Sequence, residues 1–87
     1  MVSANLKDWK EVTKGIYRYL VSANVAYEIY INYWGTGTDI LSANASLYMH
    51  YKDKTNAMRR ECLAESMPVM ACIGAAIEDD EEYNTTS

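Results

Sequence analysis

From Val25 to Trp34 the chain alternates without interruption between two sets of side chains. Val25, Tyr27, Ile29, Ile31 and Tyr33 fall on one side, and Ala26, Glu28, Tyr30, Asn32 and Trp34 on the other. A period of two describes a strand whose faces meet different environments, and the aromatic and β-branched residues suit a pleated surface. The first set reads as the core face and the second as the outward face. This segment commits the chain to a sheet covered on one side only.

The flanking residues extend the pattern. Ile16, Arg18 and Leu20 alternate with Tyr17, Tyr19 and Val21, and Ser22-Ala23-Asn24 offers a reversal into the next strand, which predicts a β-hairpin. Gly35 to Asp39 reads as a flexible loop. Ser46 to Lys52 forms another strand, with Leu47, Met49 and Tyr51 toward the core and Ser46, Tyr48 and His50 outward. Ser-Ala-Asn recurs at Ser3, Ser22 and Ser42. The segments between the copies do not resemble each other, so shared turn chemistry explains the recurrence better than an ancient repeat. Ser and Asn side chains bond local backbone groups and suit caps and reversals.

Asn5 is placed to cap a helix over residues 6–14, with Leu6, Trp9, Val12 and Thr13 on one face and Gly15 as its stop. Residues 57–65 carry a helix-favouring composition together with an alternation that suits an edge strand; composition tips the reading to helix. Pro68 ends either element. A helix then begins at Ser66 or Met67, with Val69, Met70, Ile73, Ala76 and Ile77 on its apolar side and Cys72 beside them. Glu78, Asp79, Asp80, Glu81 and Glu82 oppose the negative end of a helix dipole, which predicts fraying between Ile77 and Asp80. The expected organisation is one compact domain over residues 1–78 and an acidic, disordered tail over 79–87. Its fold class is α+β: a three- or four-stranded antiparallel meander, with a short N-terminal and a C-terminal helix packed on one face.

With 87 residues, a domain buries about 60–65% of the surface its unfolded chain exposes. Such a thin core excludes the large enzyme folds. The net charge of −4 belongs to the acidic run, since setting those five residues aside leaves eight basic and seven acidic side chains. Met1 to Val12 contains no apolar run of signal-peptide or membrane-span type. A cytoplasmic protein with reduced Cys62 and Cys72 is therefore expected.

Candidates for chemistry are few. His50 is the single imidazole, and neither cysteine sits in a nucleophile turn, so nucleophilic catalysis lacks its parts. Zinc would need more ligands at paired spacing. Gly35-Thr36-Gly37 lacks the third Gly and the Lys of a phosphate loop. No enzyme activity, metal or cofactor is expected.

Eight Tyr and no Phe point instead to rings that end at water or at polar partners. Tyr, Trp, Met and Arg are enriched at interface cores. The expected function is a non-enzymatic protein-binding module acting through Glu28, Tyr30, Asn32, Trp34, Tyr48 and His50, with Arg18 on the neighbouring strand. The acidic run would help dock a protein with a basic surface. Small acidic chains without catalytic equipment include inhibitors encoded by phages and mobile elements, among them anti-CRISPR proteins, an analogy of size and composition alone. Two alternatives use the same face: a structural homodimer, and a single-stranded nucleic-acid platform stacking bases on aromatic rings. Against direct nucleic-acid binding, Arg18, Lys52, Lys54, Arg59 and Arg60 are offset along the chain by nearby acids.

Overall fold

In the computed structural model, which describes residues 1–32 and 39–86 with side chains through Glu82, the alternating segment is the middle strand of a five-stranded antiparallel sheet. The strands are β1 (Lys10–Thr13), β2 (Ile16–Ser22), β3 (Val25–Ile31), β4 (Asn44–Lys52) and β5 (Met58–Pro68), lying side by side in chain order as a meander. One helix, α1 (Val69–Thr86), follows β5, and short 3-10 turns occupy Leu6–Asp8 and Ile40–Ser42. The α+β class and the antiparallel meander hold. The strand count is five rather than three or four.

Antiparallel register puts paired residues on one face, and here it carries the period-two signal across the sheet. Tyr17, Ile29, Leu47 and Ala64 form one row, and Tyr19, Tyr27, Met49 and Glu61 the next. Helix α1 lies over these rows with Val69, Cys72, Ile73 and Ala76 turned inward. Tyr27, Ile29, Leu47, Val69 and Cys72 are fully buried. Each buried Ile or Leu contributes about 1.5–3 kcal/mol relative to exposure.

The N-terminal helix expected over 6–14 is absent. Asn5 does cap, accepting the Lys7 N–H through Oδ1, but the cap opens only the 3-10 turn Leu6–Asp8. Trp9 is then buried, donating its Nε1–H to the Ser3 carbonyl at 3.0 Å and packing on Tyr19 at 5.5 Å between ring centroids. From Lys10 the backbone pairs with β2. A helix this short is marginal without extensive packing, whereas a neighbouring strand satisfies its backbone at once. Gly15, the proposed stop, instead takes φ 86° in the β1–β2 turn.

Residues 58–65 belong to a strand rather than a helix. Two register shifts in β5 explain the mixed signal. One extra residue at Leu63 changes the phase, so that Arg60 and Cys62 share the open face with Tyr48 and His50, while Leu63 and Ala64 both pack toward the core. The second shift adjoins Ser66, at φ 53°. Bulges of this kind erase a strict two-residue period.

The C-terminal helix begins at Val69, with its N–H donating to the Ala43 carbonyl at 3.0 Å, and continues through the acidic run to Thr86. The expected fraying point lies inside regular helix. The buried stripe Val69, Cys72, Ile73, Ala76 extends to Asp80, which is 3% exposed, and the Tyr27 hydroxyl donates to Asp79 Oδ2 at 2.6 Å. Two carboxylates of the run are therefore held against the body, and this contact opposes the unfavourable helix-end charge.

Candidate functional site

The face of the sheet away from α1 is built from the even-numbered residues of β2, β3 and β4 and the start of β5. Its rows are Ile16, Tyr30, Ser46; then Arg18, Glu28, Tyr48, Cys62; then Leu20, Ala26, His50, Arg60. Among the described residues no helix covers these rows, yet Glu28 is only 2% exposed. Its neighbours bury it. Arg18 donates from Nε to Glu28 Oε2 at 2.8 Å and places Nη2 at 2.6 Å from the same oxygen. The Tyr30 hydroxyl donates to Oε1 at 3.0 Å. His50 Nε2 lies 2.5 Å from Oε1 without the alignment of a hydrogen bond.

The electrostatics follow from this enclosure. Burial alone would raise the Glu28 carboxyl, but the Arg18 and Tyr30 hydrogen bonds and the adjoining cationic charge outweigh it, leaving the group below its ordinary value. Tyr30 is raised, first by its own burial and then by the carboxylate that accepts its hydrogen bond. A buried carboxylate is tolerated where several donors satisfy it, and removal of any one of them is costly.

Above this layer, Arg60 lies over the Tyr48 ring at 3.7 Å and within 4.9 Å of the Tyr30 ring centroid. The two rings meet edge to face, with centroids 5.1 Å apart and planes at 85°. Asn32, exposed beyond the end of β3, donates from Nδ2 to Ser46 Oγ at 3.0 Å. Leu20 and Met58 stand exposed beside the polar centre, at 67% and 60%.

The structure thus brings together Arg18, Glu28, Tyr30, Tyr48 and His50 and keeps Asn32 at the margin. Trp34, expected on this face, lies outside the described residues, as do Tyr33 and the loop from Gly35 to Thr38. The acidic run lies on α1, across the sheet from this face, and does not join the site. Arg60 was missed as a site residue because residues 57–65 read as helix. Its signal was the alternation of Arg60 and Cys62, which a strand assignment would have set opposite His50 and Tyr48.

Little in the cluster is arranged for covalent chemistry. Cys62 turns its thiol toward the Ala64 carbonyl and Glu65. Local desolvation and then Glu65 raise it, away from the thiolate a nucleophile requires. Cys72 is buried in the core and pushed up to about 11. Among the described residues no three His, Cys, Asp or Glu side chains converge to hold a metal ion, and no helix is long and apolar enough to cross a membrane. An apolar recess of about 650 Å³ lies between the two 3-10 turns, lined by Leu6, Trp9, Tyr17, Ile40 and Leu41 among others. It is separate from the Glu28 cluster. No protein-family model, curated protein or solved structure matches this chain.

Proposed function

We propose that this protein is a non-enzymatic binding module that docks a protein partner on the open face of its sheet. The observation that carries the reading is the buried Glu28, which accepts hydrogen bonds from Arg18 and Tyr30 with His50 alongside, on a face that no helix covers among the described residues. A solvated sheet face has no need to order its long side chains, and ordering them costs rotamer entropy. A recognition surface gains from it, because side chains already fixed lose less on binding. The exposed Leu20 and Met58 add apolar contact area next to aromatic and Arg anchors, a combination typical of interface centres. The inhibitor analogy rests on size and composition and gains no residue from the fold.

The test is site-specific photo-crosslinking in extract of the source cells. A benzophenone amino acid replaces Leu20 on the open face, or Met70 on the exposed side of α1 as the control. The expected result is a discrete protein adduct from position 20 only, competed away by unlabelled protein and lost in the Tyr48→Ala, Arg60→Ala double variant. Identical adducts from both positions would sink the assignment. Adducts only to a second copy of the chain would replace it with a homodimer.

A further inference from the structure

We infer that the partner on this face is a protein segment rich in Asp and Glu, an inference that rests on the reading of the open face as a docking site. Along the sequence the basic residues are offset by nearby acids, but the sheet sorts most of them. Register places Lys10 beside Arg18, and Lys52 two residues from His50 in β4, so Lys10, Arg18, Lys52 and Arg60 share the open face. The same register sends Glu11, paired with Tyr17, and Glu61, paired with Met49, to the helix side. That is also the side of the sheet on which α1 carries its acidic run. On the open face Glu28 is buried and already satisfied, Asp8 borders Lys10 and Arg18 while accepting from the Ser3 hydroxyl, and Glu65 stands at the Cys62 end. A chain of net charge −4 therefore presents a cationic face backed by an acidic one. At physiological ionic strength, screening over about 8 Å lets an approaching ligand respond mainly to the nearer face.

The ring geometry selects protein over nucleic acid. Base stacking needs an exposed aromatic plane. Tyr48 has Arg60 over its ring at 3.7 Å, and Tyr30 meets Tyr48 edge-on rather than extending a common plane. The recognition groups left facing out are N–H edges of guanidinium. A guanidinium stacked on a ring keeps its in-plane donors free, and their fork matches a carboxylate. No carboxylate lies within ion-pair distance of Arg60 among the described residues. Arg18 is anchored to Glu28 through Nε and Nη2, so its position is set before a ligand arrives.

The experiment is an amide-resolved NMR titration of the full chain with three probes: a short Asp/Glu peptide, its Asn/Gln counterpart, and an oligothymidylate of the same length. The acidic peptide should shift amides in β2, β4 and β5, with affinity falling roughly tenfold as salt is raised from about 50 to 300 mM. Arg60→Gln and Lys10→Gln should each weaken it by about three- to tenfold, while Lys54→Gln, in the β4–β5 turn, changes it less than about twofold. Thermal melts of the variants establish that the fold is kept. Equal affinity for the Asn/Gln peptide on the same amides would overturn the acidic partner and leave the docking face standing. Tighter binding of oligothymidylate on those amides would overturn it in favour of nucleic acid. Absence of shifts on the face, together with no crosslink from position 20, would remove the docking reading as well.

Discussion

The two faces of the sheet solve the same problem with opposite chemistry. On the helix side, Tyr27, Ile29 and Leu47 lose their water to Val69, Cys72 and Ala76, and the driving force is non-directional apolar burial. On the open side, Glu28 is as well hidden as those residues, yet only the side chains around it hide it. Its enclosure is directional and charge-assisted. Burial and hydrophobicity are therefore separable here, and a strand residue can be outward in register but internal in environment.

The comparison breaks most severely at the apolar side. Leu47→Ala should cost about 2–5 kcal/mol, read as a lowered urea midpoint, because the deleted methyl groups leave a cavity between β4 and α1. A loss under about 1 kcal/mol would mean the helix face is loosely packed. Glu28→Gln comes next, at about 1–3 kcal/mol, since Arg18 loses its charged acceptor while remaining half-buried. A neutral result would make the open face a solvated surface after all.

The pH dependence sharpens the same contrast. The folded Glu28 carboxyl lies below its ordinary value of 4.5. Its stabilisation is thus complete above that value and lost as pH falls through the lower, folded one. Acid titration of stability should show a limb below pH 4.5 that shrinks in Glu28→Gln. Asp53 adds a second acid-sensitive site. Thr55 and Arg59 hydrogen bonds lower it from 3.8 to about 2, so Asp53→Asn should remove only the most acidic part of that limb.

Tyr27→Phe, which removes the hydroxyl held by Asp79, should cost about 1 kcal/mol by urea unfolding. Truncation after Ile77 should lower Tm by more than Tyr27→Phe alone, because Asp80 is also buried. A truncation without effect would return the acidic run to the role of a solvated extension. The smallest effect concerns the thiols. Iodoacetamide should modify exposed Cys62 slowly in the folded protein and spare Cys72 until urea unfolds it.

The sheet was legible wherever a single face decided the residue. Tyr27, Ile29 and Leu47 are buried where their period places them. The period failed where tertiary pairing overrode local preference. Lys10–Thr13 had helix caps on both sides but found a strand, β2, to complete its backbone bonds. In β5 a helix-favouring composition outweighed an alternation that suited an edge strand, and the extra residue at Leu63 breaks the phase of that alternation. Asp80 continues a stripe at helical spacing from Val69 through Cys72 and Ala76, but its charge argued for solvent and masked the spacing. For the site, the outward set was read correctly at Glu28, Tyr30, Tyr48 and His50. The burial of Glu28 was recoverable from the hairpin: a reversal at Ser22-Ala23-Asn24 sets Arg18 opposite it. The sorting of charge between faces was not recoverable, because it needs the register of all five strands.

β5 forms one margin of the sheet, and along its outer side the backbone has no neighbouring strand among the described residues. Such a margin invites copying by another chain. Here a template strand could stay in step only along Met58 to Cys62, because the irregularities at Leu63 and Ser66 and the missing N–H of Pro68 interrupt the ladder beyond. The irregularities of β5 thus limit how far the sheet can be extended along this margin.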